Sequence, residues 1–474
     1  MFNIRYLFLT PLFFMFFPAW GIFYSSTSSI SISFLFRLIF VPIILFIEKN
    51  KLTRLFIDLL KNTPAKYLFM FFVWIIISGI CSVFLNNYSL GNFFYKLIFG
   101  FITSCIFTYF MTLLLFPKFF SIKTICKIIL IGNFFVFTIG IIEGIAKAFD
   151  ITPIINFTDF LINQRTWTYL GEMPYMNRVH STFAEPGWLG SFICFNIPIL
   201  YSLMNSPYKL FKNRTVNFVL KKLTPFLALI NLFLTKSPIW LVIFILITLF
   251  FYLFKIIKFF KKYLKVFLLI MIIFFITLGF TILIVIHSDL SVQDTYIYRI
   301  VVFLYNFSDF QQLVLAEPSL ATRMLSYFLT LLVFINHPII GVGFGNTENH
   351  VIPIIESTNL PYTNEIMNHY SRSINSNSSS IHINGAIFYN TLADTGIIGF
   401  ILLYTFMLKS FIFIKKLIKH LHGIERDFAS GLAFTILVII ITSIYDAYIN
   451  VVYIWFLFGA VISCYFSVRF KRIV

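Results

Sequence analysis

The sequence predicts an all-α polytopic integral membrane protein of about twelve transmembrane helices, and three observations carry that prediction. Hydrophobic residues make up 59% and aromatic residues 20% of the 474-residue chain, a composition with no soluble globular counterpart. The apolar residues come in runs of roughly 16–24, long enough for a helix to cross a hydrocarbon layer while satisfying its own backbone hydrogen bonds. Basic residues gather on alternate connections between those runs, which is the positive-inside bias.

The runs lie at 6–23, 30–47, 65–86, 93–116, 128–148, 188–204, 223–235, 238–254, 266–286, 385–408, 429–444 and 450–467. The first follows Arg5 without a small-residue cleavage site and reads as a signal anchor. The seventh and eighth form a tight hairpin around Lys236, Ser237 and Pro238. With both termini cytoplasmic, the inner connections hold Lys49, Lys51 and Arg54, then Lys118, Lys123 and Lys127, then Lys209, Lys212, Arg214, Lys221 and Lys222. They continue with "KIIKFFKKYLK" (255–265), then Lys409, Lys415, Lys416 and Lys419, and the tail "VRFKRIV". About three-quarters of the 36 Lys and Arg then lie inside. The net charge of +18 therefore sets topology and meets anionic lipid headgroups, and no nucleic-acid partner is expected. Cys81, Cys105, Cys126, Cys194 and Cys464 all fall in or beside apolar runs, so neither a disulfide framework nor a CxxC metal site is expected.

Residues 1–474 thus read as one transmembrane domain with two long outer connections, a first outer loop at 149–187 and a large outer loop at 287–384. Function is expected there, because the other connections are short. The basic residues on these loops are Arg165, Arg178, Arg299, Arg323 and Arg372, whereas Lys dominates inside. A guanidinium presents a rigid fork that matches phosphate, and its charge does not titrate away.

Three stretches hold the candidate chemistry. "NRVHSTFAEPGWLGSF" (177–192) places Arg178, His180 and Glu185 at the mouth of an apolar run. Arg178 is either a phosphate ligand of the site or a headgroup contact. Glu185 before Pro186 is either a helix-start acid or the partner of an arginine. His180 reads as a solvated loop histidine. "TRMLSYFLTLLVFINHPIIGVGFGN" (322–346) reads as an amphipathic or re-entrant helix with Arg323 at its start. Its alternating Gly341, Gly343 and Gly345 suit a tight turn or a close backbone approach. "SIHINGAIFYNTLADTGIIGF" (380–400) sets His382 and Asn384 at the membrane surface and carries Gly396 and Gly399, spaced for close helix packing. Neutral imidazole can take a proton near neutral pH, which makes His382 a candidate base. Asp394 lies inside a run, where an acid is costly unless paired or functional. Glu143 and Asp446 sit near the outer ends of runs, where the cost is smaller.

In this order, and with "LTKSPIWLVIF" (234–244) between the first two, these stretches resemble the bacterial O-antigen polymerase and ligase superfamily. The resemblance lies in an Arg…Phe-x-Glu-Pro segment, a Ser-bearing hairpin, an Arg-led segment ending Pro-x-x-Gly-x-Gly, and a His-bearing segment ending Gly-x-x-Gly. It implies a lipid-linked glycosyltransferase of the bacterial cytoplasmic membrane, with its site on the outer face. The expected reaction polymerises oligosaccharide repeat units carried on undecaprenyl diphosphate into O-antigen or capsule-type polysaccharide. The alternatives are ligation of the polymer to lipid A-core and flipping of the lipid-linked oligosaccharide. Donor, acceptor and membrane lipids are the implied partners, with a chain-length regulator protein as a further one. No cofactor and no metal are expected, because the outer loops show no Asp-x-Asp pair. Arg178 and Arg323 would clamp the diphosphate, with Arg299, Arg165 and Asn384 as further substrate contacts. His382 would be the base and Glu185 an arginine partner or alternative base. The spacing of His382 from Gly396 is wider than the family's, which keeps His369 and Asn384 as alternatives for its place.

Overall fold

The computed structural model describes residues 21–24, 29–31, 39, 57–86, 88–109, 121–162, 178–183, 186–237, 239–249, 318–357, 386–445 and 452–471. Apart from an antiparallel hairpin of β1 (Gly21–Tyr24) and β2 (Ser29–Ser31), its elements are helices. In chain order these are α1 (Ala65–Leu85), α2 (Leu90–Tyr109), α3 (Ile122–Ala148), α4 (Thr152–Ile162), α5 (Pro186–Asn205), α6 (Arg214–Leu234) and α7 (Ile239–Leu249). They continue with α8 (Pro318–Asn336), α9 (Thr347–Ser357), α10 (Ile387–Ile418), α11 (Gly423–Thr442) and α12 (Val452–Lys471).

Among the described residues six helices, α1, α2, α3, α5, α6 and α10, are long and apolar enough to cross a membrane. α1 shows why these sequences form such helices. Its outward face carries Phe69, Met70, Val73, Ile77, Ile80 and Phe84, the last 80% exposed, while Ser78, Gly79 and Ser82 are buried. A helix whose polar and small residues point inward and whose aromatic and aliphatic residues point outward is built for a lipid solvent.

Several expected boundaries move. The β-hairpin occupies the ends assigned to the first two runs, whose remainder apart from residue 39 lies outside the described residues, as does the run 266–286. α6 begins at Arg214, well before the expected 223, so Lys221 is inside a helix. The Lys221 ammonium is accommodated because it donates to the Ser206 and Tyr208 carbonyls at 2.7 and 3.0 Å. Asn213 caps this helix, its side chain accepting from the Thr215 and Val216 N–H groups.

Polar cross-links fix the relative directions. Asn133 donates to Asn196 at 2.9 Å, so α3 and α5 run antiparallel with Phe137 against Phe192. Thr435 donates to the Phe195 carbonyl and Ser202 to that of Asp427, making α5 and α11 antiparallel. The Phe388 N–H meets the Ser443 carbonyl where α10 starts and α11 stops. Trp74 and Ser78 reach the Thr395 and Asp394 carbonyls, which sets α1 against α10. The starts of α5 and α10 and the ends of α3, α6 and α11 consequently share one end of the bundle.

Candidate functional site

Two of the proposed site residues, Arg178 and Arg323, are described, and both lie at that shared end. His382, Glu185, Arg299, Arg165 and Asn384 lie outside the described residues, as do His369, Arg372 and Asp446.

Arg323 is on α8, the first arm of a helical hairpin. Leu325, Leu329 and Val333 of α8 pack with Val351 and Ile355 of α9, so the second arm folds back on the first. The turn between them, His337–Asn346, dips to the level of Asp394 in α10. There Gly396 breaks α10 with φ 65° and ψ −172°. The turn and the break exchange backbone hydrogen bonds as two strands would. The Val342 and Gly343 N–H groups donate to the Ala393 and Asp394 carbonyls at 2.9 Å, and the Ile397 N–H donates to Pro338 at 2.9 Å. Both chains need glycine at the crossing. A Cβ on Gly396 would stand 2.1 Å from the Ile339 carbonyl oxygen, and one on Gly341 (φ 77°) would stand 2.5 Å from the Asp394 carbonyl carbon. The Gly-x-Gly-x-Gly stretch fills both of its expected roles: its three glycines take left-handed φ in the turn, and Gly341 lies directly against the α10 backbone. Gly396, expected to serve helix packing, is a break; Gly399 keeps the packing role, facing Trp74.

Asp394 is paired. Its carboxylate accepts from the Thr347 hydroxyl at 2.6 Å and from the Thr347 N–H at 3.3 Å, capping the first turn of α9. The acid in the apolar run is therefore the anchor of the hairpin's second arm. His350 stands one turn on, 5.1 Å from His337 between ring centres and 3.3 Å from the Asn346 amide. Burial, and then the neighbouring His337, hold the His350 imidazole below its ordinary pKa.

At the other end of α8 the Arg323 guanidinium lies 5.9 Å from the centre of the Tyr445 ring and donates to the Tyr445 hydroxyl at 3.3 Å. Tyr327, one turn on, donates to the Tyr445 carbonyl and stacks on Tyr389 with ring centres 4.8 Å apart. The guanidinium also reaches the first turn of α5, where its Nη2 is 3.6 Å from the position a Gly187 Cβ would take. The cation thus lies against the start of this helix, where N–H groups already point outward.

Arg178 opens the segment that Gly187 closes. Its Nε donates to the Thr235 carbonyl at 2.9 Å, and the Val179 N–H donates to Leu234 at 3.1 Å, so the end of α6 holds it from one side. From the other side α3 supplies Lys147, whose ammonium donates to the Arg178 carbonyl at 2.7 Å. Lys147 is paired with Glu143 at 2.7 Å. The Glu143 carboxylate, fully buried, also accepts from the Ser181 N–H at 2.7 Å and the His180 N–H at 3.3 Å, and faces His180 Nε2 at 3.2 Å. Two expectations are corrected here. Glu143 does lie near the end of its helix but is wholly buried there, so its burial is offset by partners and not by solvent, and His180 is not a solvated loop histidine, for it is wholly buried as well. A carboxylate with this many donors around it can be buried because each oxygen is satisfied.

Sequence reasoning passed over Tyr445, Tyr327 and Lys147 as site neighbours. The available signal was the Glu143–Lys147 pair at helical spacing near the end of an apolar run; the tyrosines carried none, since the chain holds 24 of them. Among the described residues no three His, Cys, Asp or Glu side chains gather as a metal site.

A helical multi-pass membrane protein with two arginines bordering one short segment at one end of the bundle is thereby defined. Residues 223–404 match the family model described as O-antigen ligase, in agreement with the resemblance to the O-antigen polymerase and ligase superfamily. The matched family implies a membrane enzyme of glycosyl transfer, whether ligation or polymerisation. The match runs from α6 through the hairpin into α10, and so includes Arg323 but stops short of Arg178 and Glu185 on the N-terminal side. No curated protein matches the chain.

Proposed function

We propose that the chain polymerises oligosaccharide repeat units carried on undecaprenyl diphosphate, at the outer face of the bacterial cytoplasmic membrane. The observation that carries this reading is the Arg323 guanidinium set against the start of α5 at Gly187, with the Arg178 segment leading into the same helix start. Fixed cationic and N–H groups at one place suit a diphosphate whose charge grows as it departs. The partition of basic residues supports the orientation: Lys123, Lys127, Lys415, Lys416 and Lys419 lie on the half of the bundle away from Arg178 and Arg323.

In this reading the acceptor sugar hydroxyl attacks the anomeric carbon of the donor. The new C–O bond forms as the bond to the diphosphate breaks, the diphosphate leaves with the electron pair, and the configuration inverts. Arg178 and Arg323 hold the diphosphate without a metal, with Arg165, Arg299 and Asn384 as further contacts. His382 takes the hydroxyl proton, with Glu185 as the alternative base or an arginine partner. The polyprenyl tail stays in lipid, and a separate regulator protein sets chain length.

Ligation to lipid A-core is the second reading, favoured by the description of the matched family. One experiment separates the two: the surface polysaccharide of the native strain, run on a gel after deletion of the gene and after restoration with the wild type or Arg323→Ala. Glycan capped at one repeat unit in the deletion and Arg323→Ala strains supports polymerisation with Arg323 in the site. Complete loss of attached glycan rejects polymerisation in favour of ligation or flipping. A normal ladder with Arg323→Ala removes that arginine from the mechanism.

A further inference from the structure

Glu143 and Lys147 have no assigned part in the reaction, yet they form a buried ion pair one turn apart on α3, aimed at the segment that carries Arg178. Glu143 spends both oxygens there, and Lys147 spends a proton on the Arg178 carbonyl at 2.7 Å. Ser181, whose N–H Glu143 accepts at 2.7 Å, adopts the left-handed backbone with φ 55°. Its hydroxyl donates to the Val136 carbonyl at 2.5 Å, a second tie to the same helix. A non-glycine residue holds such a backbone only where its surroundings impose it. Removing the carboxylate would leave a buried ammonium without its anion and two N–H groups without an acceptor, so the segment would have to rearrange.

We infer that Glu143 and Lys147 are positioning residues for Arg178: the pair clamps 178–181 from α3 while Thr235, just past the end of α6, holds the guanidinium from the other side. The inference rests on the proposed role of Arg178 in holding diphosphate. It gives Glu143 a part in fixing Arg178 beside the arginine-partner role expected of Glu185, and it explains why a buried acid is tolerated in an apolar helix. The clamp is charge-dependent, so Lys147→Arg preserves it and Lys147→Met does not.

The test uses the full chain purified in detergent, with monodisperse elution as the criterion of folding. Phenylglyoxal modification of Arg178 is timed by peptide mass spectrometry in wild type, Glu143→Gln, Lys147→Met and Lys147→Arg. The rate is expected to rise about tenfold in the first two variants and to return to the wild-type rate in Lys147→Arg. Wild-type rates in folded Lys147→Met and Glu143→Gln overturn the inference, and if Glu143→Gln does not fold, Lys147→Met decides. Binding of geranylgeranyl diphosphate supplies a second readout. Glu143→Gln and Arg178→Ala each weaken it, and the double variant is no weaker than Arg178→Ala alone; additive losses overturn the inference. If the wild type does not bind this probe, or Arg178→Ala binds it as the wild type does, the diphosphate reading fails instead. The modification rates then still decide the part played by Glu143.

Discussion

Gly396→Ala tests the crossing that seats the hairpin bearing Arg323. The backbone at this position has φ 65° and ψ −172°, a region open to glycine alone, and alanine there costs about 1–3 kcal/mol in strain. The added methyl would also stand 2.1 Å from the Ile339 carbonyl oxygen and 2.4 Å from its carbon, with backbone and no flexible side chain to give way. Ile339 retreats only by parting the Ile397–Pro338, Val342–Ala393 and Gly343–Asp394 bonds, each contributing about 0.5–1.5 kcal/mol net. Strain and lost bonds together come to roughly 3–7 kcal/mol, a large share of the about 5–15 kcal/mol that holds a domain folded. The expected result is a thermal unfolding midpoint several degrees below wild type in detergent, with loss of the polysaccharide ladder in cells. Gly91→Ala is the control, because the nearest atom to its Cβ is Ser89 Oγ at 3.8 Å and its midpoint should not fall. An unchanged midpoint in Gly396→Ala, or an equal fall in Gly91→Ala, would refute the account of the crossing.

Asp394→Ala removes the acceptor that caps α9 and should cost about 1–3 kcal/mol in unfolding measurements, whereas Asp394→Asn, which keeps a carbonyl oxygen toward Thr347, should cost less. His350 has a folded pKa below its ordinary value of 6.5. The folded state therefore binds fewer protons than the unfolded state: its contribution to stability is present above the unfolded pKa and is lost as pH falls through the folded one. Unfolding midpoints should drop on acidification, and His350→Gln should flatten that dependence; an unaltered slope would reject it. Arg323→Lys keeps the charge but loses the fork and the stack on Tyr445, so glycosyl transfer measured in membranes should fall roughly ten- to a hundredfold.

What the sequence makes legible is what depends on solvent and local spacing. The helical class follows from apolar run length, and α1 and α5 fall within two residues of the runs at 65–86 and 188–204, while α3 shares its end with the run at 128–148 but starts six residues earlier. The helix that ends in a glycine turn over 322–346 follows from an apolar stretch opened by an arginine and closed by glycines. The extent of α6 is not legible, because Lys221 reads as a loop residue until the Ser206 and Tyr208 carbonyls are known to receive it. The burial of Glu143 is not legible for the same reason: its donors are two backbone N–H groups, a lysine and a histidine assembled by tertiary packing. Arg323 stands out in the sequence by charge and position alone, but its neighbour Gly187 lies more than a hundred residues away and no local pattern links them.

Irregular backbone inside a membrane protein survives only where protein groups replace the missing water, and the hairpin turn meets that demand fully enough to suggest its purpose. Ser78 donates to the Ile340 carbonyl at 2.8 Å and Ser82 to that of Val342, while Tyr88 reaches Phe344 at 3.2 Å and Lys96 reaches Gly345. Four carbonyls of one turn thus take side-chain donors from α1, α2 and the link between them, in addition to the bonds shared with α10. A turn tied on two sides in this way moves with the bundle and not against it. Arg323 consequently stands on a fixed base, and the Arg178 segment on another, clamped by Glu143 and Lys147. Charge stabilisation of a departing anion gains most from groups that need no reorganisation when the charge appears. Under the proposed function, the buried acid on α3 and the glycine break in α10 serve one end, to hold two guanidinium groups still where the diphosphate departs.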